Sequence, residues 1–135
     1  MEPNCIFCRI AAHEIPADVV YENGHVIAFL DINPVTKGHV LVIPKAHHPW
    51  MQETPDELVL ETFATAKHLM TAMKQELAAG YVQISVVGTE VPHFHVHVIP
   101  QQLTDELPPL FRKHTAYDDA TEKESYAARI KKALA

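Results

Sequence analysis

From Val91 to Ile99 the sequence alternates without a break. Val91, His93, His95, His97 and Ile99 take one parity; Pro92, Phe94, Val96 and Val98 take the other. Side chains two apart on a strand share a face. The pattern predicts a strand with three imidazoles on one face and a core-packed opposite face. Such a strand needs a second layer to cover its apolar side, so a sheet packed on helices is implied.

The remaining segments supply those layers. A short helix is predicted over 5–12, with Ile6, Phe7 and Ile10 as its apolar face and Cys5 and Cys8 on one edge. Residues 19–21 and 26–30 read as strands joined at Asn23-Gly24, a hairpin signal. The β-branched run 39–43 ends at Pro44. Thr54-Pro55-Asp56-Glu57 predicts a helix start, with Thr54 as N-cap, Pro55 at the first helical position and Glu57 closing a capping box. Val59, Phe63, Ala66, Met70, Met73 and Leu77 then recur at helical spacing, a stripe that fits either the core or a subunit interface. Gly80 is the expected stop. Strands over 81–87 and 91–99 follow, and a last helix is expected from Thr121, with Glu124 completing a second capping box. No repeat, low-complexity run or linker interrupts the chain, so one domain over 1–135 is expected. The order favours an α+β fold with an antiparallel sheet.

Composition narrows the function. The chain has 135 residues, enough for one sizeable core, and 47% are hydrophobic, too many for a disordered chain. The formal net charge of −6 argues against a broad grip on a nucleic acid polymer but leaves room for one nucleotide in a local pocket. No apolar run approaches the ~20 residues of a membrane span. The start has neither a basic segment nor a long apolar core, so a cytoplasmic protein is expected. There, Cys5-Ile6-Phe7-Cys8 is read as reduced, metal-bound or redox-active sooner than as a disulfide.

Three readings compete for the histidines. Isolated surface groups do not explain three in strict alternation. One shared metal ion fails on distance, because His93 and His97 lie ~13 Å apart on a strand rising ~3.3 Å per residue, while metal–nitrogen bonds are about 2 Å. Nucleophilic and acid–base catalysis remains: imidazole is partly neutral at pH 7, nucleophilic, and oriented through its second nitrogen.

Pro92-His93-Phe94-His95-Val96-His97-Val98-Ile99 resembles the signature of the histidine triad (HIT) superfamily. Cys5-Ile6-Phe7-Cys8-Arg9-Ile10, Ala28-Phe29-Leu30-Asp31-Ile32-Asn33-Pro34 and Lys37-Gly38-His39-Val40-Leu41-Val42-Ile43-Pro44-Lys45 resemble its other landmarks, in order. The resemblance covers roughly residues 5–100; the loop and helix of 101–135 add little to it. It is closest to the Hint-like bacterial type. It implies a HIT-like fold: a five-stranded antiparallel sheet with one long helix and one or two shorter ones.

The resemblance also implies roles. Family members hydrolyse or transfer nucleoside monophosphates through a covalent nucleotidyl-histidine, here on His95. His97 is implied to hydrogen-bond the phosphate, with His93 and His39 completing the catalytic set. Phe7, Ile10, Phe29, Leu30 and Ile32 match base-contacting positions. Asp31 matches the acceptor of the ribose hydroxyls, and a two-oxygen carboxylate suits a vicinal diol. Read alone, these apolar residues fit core packing and Asp31 fits a turn. A structural zinc held by Cys5, Cys8, His47 and His93 is implied as well, a sound tetrahedral donor set, with His48 as competitor to His47. A homodimer with the long helices at the interface is implied.

The chain departs from the family before the triad. Val86-Val87-Gly88-Thr89-Glu90 replaces a longer glycine-rich stretch, with Thr89 at the usual Gln and Glu90 at the common Ser position. Backbone N–H groups from Gly88 to Val91 remain available to phosphate oxygens. The leading expectation is a hydrolase of AMP derivatives: phosphoramidates, acyl-adenylates or dinucleoside polyphosphates. A non-catalytic nucleotide sensor or dimeric scaffold with a structural zinc is the alternative. A redox or metal carrier using Cys5 and Cys8 is weaker, because it leaves the triad and Asp31 unexplained.

Overall fold

The computed structural model describes residues 1–103 and 114–135. Three helices, α1 (Ile6–Ala11), α2 (Asp56–Glu76) and α3 (Ala120–Leu134), surround strands β1 (Val19–Glu22), β2 (Val26–Leu30), β3 (Val40–Pro44), β4 (Tyr81–Ser85) and β5 (Val96–Gln101). The strands form one antiparallel sheet in the order β1-β2-β3-β5-β4. This is the α+β architecture expected. Among the described residues no helix is long and apolar enough to cross a membrane.

Both faces of the sheet are covered, so β2 and β3 are buried along their whole length. On one face Ala28, Leu30, Val40, Val42, Val96 and Val98 pack with Ala66, Leu69 and Met73 of α2 and Ile130 of α3. Val59, Phe63, Met70 and Leu77 lie against the same cluster. Ala66 and Met73 of the helical stripe are thus core, and the other four lie partly buried against it. On the other face Ile27, Phe29, Leu41 and Ile43 pack with Cys5, Phe7, Cys8 and Ile10. The short helix α1 makes this second layer, although its Ile6 points outward and is exposed.

The largest departure from expectation lies at the histidines. Residues 91–95 are not strand, and β5 begins at Val96. The ladder with β3 ends at the pair Val42–Val96. The next inward-facing residue of β3 is Pro44, which has no N–H to offer. The chain leaves the sheet instead: the Phe94 N–H donates to His48 O at 2.7 Å and the His93 N–H to Val91 O at 2.8 Å. Phe94, Val96 and Val98 still face the helices as the alternation requires.

Helix ends also differ. Pro55, not Thr54, is the N-cap of α2, and the Thr54 hydroxyl donates to Trp50 O at 2.9 Å, so no capping box forms. The helix ends at Glu76 and capping Leu77, ahead of Gly80. The left-handed residue is Ala78 (φ 52°), while Gly80 accommodates close approach of Leu103. Helix α3 starts one residue early, with Asp119 Oδ1 accepting from the Glu122 N–H at 2.8 Å. β4 stops at Ser85.

Because Ala78 holds a backbone conformation that disfavours a Cβ, Ala78→Gly is expected to stabilise the protein by about 0.5–1 kcal/mol. A urea midpoint that rises at unchanged slope is the expected result; a lower midpoint contradicts it.

Candidate active site and metal centre

The histidines fall into two groups. His95 and His97 remain neighbours, with ring centroids 5.0 Å apart. His39, just ahead of β3, joins them: its Nε2 lies 2.9 Å from His97 Nδ1. His93 turns the other way, to Cys5, Cys8 and His47.

Hydrogen bonds fix which nitrogen of each ring carries the proton. His95 Nδ1–H donates to the His93 carbonyl at 2.7 Å, which leaves the lone pair on Nε2. The Val35 N–H donates to His39 Nδ1 at 3.0 Å, so His39 carries its proton on Nε2. That proton is donated to His97 Nδ1, which leaves His97 with its own N–H on Nε2. The site thus presents an acceptor nitrogen on His95 beside a donor nitrogen on His97. Behind them the Phe7 ring meets His95 edge-on at 5.1 Å and Phe29 at 5.6 Å.

These rings line a cleft with Asp31, Asn33, Val35, Gln83, Ser85, Val87, Gly88, Thr89, Glu90, Ile99 and His114. Asp31 Oδ1 accepts from the Asn33 N–H at 2.9 Å, and its Oδ2 lies 3.5 Å from His39 Nε2. Burial pushes the Asp31 carboxyl up, against the Asn33 N–H, which lowers it. Gly88 has φ +78°, and a Cβ there would sit 3.0 Å from the Trp50 ring, so this loop position demands glycine. Asp31, His39 and His97 form a ligand-like triad. The Val35 bond opposes a cation there, because a metal on His39 Nε2 would leave both of its nitrogens without a proton.

The structure separates the sequence-derived site residues. Asp31, His39, Thr89, Glu90, His95 and His97 line the cleft. Phe7, Ile10 and Phe29 sit in the core layer behind it, and Ile32 is 79% exposed beside Asp31. Val91 packs at the edge of that layer. Leu30 belongs to the helix-side core, on the opposite face of β2 from Phe29. Sequence reading missed Ser85, Gln83 and His114. Ser85 pairs directly with His97, a register that a β4–β5 hairpin would have suggested. Nothing local to His114 marks it.

The second group is a compact Cys₂His₂ cluster, with one ligand atom per residue and all within 4.8 Å of one another. His93 Nε2–H donates to Pro44 O at 2.7 Å, so its Nδ1 lone pair faces the thiols. The edges measure 3.4 Å (Cys5 Sγ–His93 Nδ1), 3.5 Å (Cys8 Sγ–His93 Nδ1), 3.2 Å (Cys8 Sγ–His47 Nδ1) and 3.3 Å (His47 Nδ1–His93 Nδ1). Zn–S bonds of about 2.3 Å and Zn–N bonds of about 2.05 Å require tetrahedral edges of roughly 3.3–3.8 Å. Donor chemistry and spacing both fit zinc. Burial pushes the Cys8 thiol up, a penalty specific to an unmetallated thiolate.

A five-stranded antiparallel sheet that gathers His39, His95 and His97 beside a carboxylate-bearing cleft is the architecture of a histidine triad protein. The chain belongs to that family: the HIT domain model matches residues 12–104. It is 46% identical over 101 residues to an uncharacterised HIT-like protein of Methanocaldococcus jannaschii, covering 72% of this chain and 78% of that one. It is 38% identical over 104 residues to the adenosine 5′-monophosphoramidase of Saccharomyces cerevisiae, covering 76% and 65%. It is 30% identical over 112 residues to an adenylylsulfatase of Arabidopsis thaliana, covering 79% and 57%. A zinc-bound histidine triad family protein from Mycobacterium smegmatis superposes with a TM-score of 0.86 at 32% identity, covering 97% and 93%.

Burial holds His39 down at about 3 and His97 at about 4, with neighbouring imidazoles adding to the effect. Both are neutral when folded, whereas an unfolded histidine titrates near ~6.5. Below that value the unfolded chain binds more protons, so their contribution to stability is complete above about pH 6.5 and is lost as pH falls toward 4. The urea midpoint is expected to drop between pH 7 and 4.5, less steeply in His39→Gln. Equal slopes for the two proteins would count against neutral, buried His39.

Proposed function

We propose that the protein cleaves nucleoside monophosphate derivatives at the α-phosphorus, with His95 as nucleophile. The observation that carries this reading is the His95 Nδ1–H bond to the His93 carbonyl, which presents an unprotonated Nε2 in the cleft. Nε2 attacks phosphorus, the bond to the leaving group breaks, and that group departs with its electron pair. A water then attacks the same phosphorus and gives up a proton, balancing the one the departed group takes up, the P–N bond breaks, and the mononucleotide leaves as His95 recovers its lone pair. This divides one difficult displacement into two easier ones. His97 Nε2–H donates to a phosphate oxygen, and His39 keeps that proton on Nε2 by donating to Nδ1.

Asp31 accepts from the ribose hydroxyls. Phe7, Ile10 and Phe29 form the wall behind the base, and exposed Ile32 covers its open side. Leu30 supports this wall from the helix side only. The backbone of Thr89, Glu90 and Val91 frames the phosphate. Purine nucleotides of the AMP type are the substrate class, consistent with the two AMP-cleaving relatives.

We assign a zinc ion to Cys5, Cys8, His47 and His93. It would supply cross-linking rather than chemistry. These residues tie α1 and the segment after β3 to the one whose carbonyl orients His95. A homodimer, in a cytoplasmic setting, completes the proposal.

His95→Ala is expected to slow AMP release from an AMP-amine substrate by at least about 10³-fold while AMP still binds. Retained turnover in that variant would refute the mechanism. Protein purified without chelators is expected to carry about one zinc per chain, and its removal to lower the melting temperature. Less than about 0.2 zinc per chain, or a melting temperature indifferent to chelation, contradicts the metal assignment.

A further inference from the structure

The cleft has a charge problem if its occupant is a phosphate. Among the described residues that line it, none is Lys or Arg, and two, Asp31 and Glu90, are carboxylic acids. His95 must be neutral to attack. His39 and His97 are held neutral by burial. The backbone N–H groups of the loop donate hydrogen bonds but bring no net charge. Among the described lining residues one imidazole is left, His114, which is exposed at the surface of the cleft.

His114 is held there by its neighbours. Its Nδ1–H donates to Asn33 O at 2.6 Å, two residues beyond Asp31. The adjacent Thr115 N–H donates to Pro34 O at 2.8 Å. The Gly38 N–H donates to the Tyr117 hydroxyl at 2.8 Å. Lys37 Nζ reaches Glu122 at 2.9 Å and Asp118 at 3.5 Å. The C-terminal segment is thus fastened along the 31–38 loop, the loop that carries Asp31 and leads into His39. His114 lines the same cleft as Asp31, His39 and His97.

Resting on the nucleotide-cleaving reading, we propose that His114 is a substrate-contacting residue that binds the phosphate. The Asn33 carbonyl occupies Nδ1–H, so the nitrogen free to meet a ligand is Nε2. A proton taken from solvent at Nε2 makes that nitrogen a charged donor to a phosphate oxygen and leaves the Asn33 bond intact. Hydrogen bonds to charged groups are roughly twice as strong as neutral ones. The C-terminal segment therefore belongs to the site: it supplies the positive charge that the triad, built from neutral imidazoles, lacks.

Calorimetric titration of the full chain with AMP and with adenosine tests this, in wild type, His114→Gln and His114→Arg. Adenosine has every contact of AMP except the phosphate. The Gln variant is expected to bind AMP about tenfold more weakly and adenosine within about twofold of wild type. Arginine is expected to restore AMP affinity to within about threefold, because it keeps the charge. Equal weakening of both ligands would reduce His114 to a clasp for the 31–38 loop, and no weakening would remove it from the site; either overturns the inference. A wild type that binds AMP yet forms no His95 adduct would refute the hydrolase reading while leaving the His114 comparison decisive. A wild type that binds neither ligand refutes both.

Discussion

One hydrogen bond decides what this site can do. The His93 carbonyl takes the Nδ1 proton of His95, and only then does Nε2 carry a lone pair. Both groups are buried, so the bond is protected from competing water, and an unmet Nδ1–H there would cost about 1–3 kcal/mol. The alternative tautomer would put a proton where the nucleophilic lone pair must be. His39 and His97 obey the same logic in the opposite sense. A backbone N–H at His39 Nδ1 forces its proton to Nε2 and so fixes the donor end of His97.

The fold exists around that bond in a traceable way. The His93 carbonyl accepts from the ring of His95 in a stretch that lies outside the sheet, since β5 begins only at Val96. The pairing of β5 with β3 ends at Val42–Val96, Pro44 stands at the β3 position that would face Phe94, and the His48 carbonyl takes the N–H of Phe94 instead. The released segment is then held from the side by the Cys₂His₂ cluster through the ring of His93. The side chain of His93 serves the metal centre and its backbone serves the reactive imidazole. Helix α1 and its N-cap supply two ligands of that cluster, Cys8 and Cys5, and the helix also carries Phe7, the ring packed against His95.

Much of this was legible in the sequence. The apolar parity of Phe94, Val96 and Val98, the stripe on α2 and the hairpin at Asn23-Gly24 all appear as the periodicities require. The strand through His93 did not form, because periodicity cannot register that the neighbouring strand ends in a proline. Thr54 and Gly80 carried local helix-end signals, but Pro55 and Ala78 took the terminal conformations, since tertiary packing sets where the helix must stop. Leu30 illustrates a limit of position matching: Phe29 and Leu30 are adjacent, so a strand sends them to opposite faces. His114 had no readable signal, because its place depends on contacts with the 31–38 loop, far away in sequence.

The tautomers of His39, His95 and His97 are the central claim. They are directly observable by nitrogen-15 NMR of histidine-labelled protein at pH 7, through the long-range couplings of the ring nitrogens. The expected spectrum has His95 protonated at Nδ1 and bare at Nε2, with His39 and His97 protonated at Nε2 and bare at Nδ1. A His95 signal with the proton on Nε2 would contradict the account, since the nitrogen assigned to attack phosphorus would then have no lone pair to use.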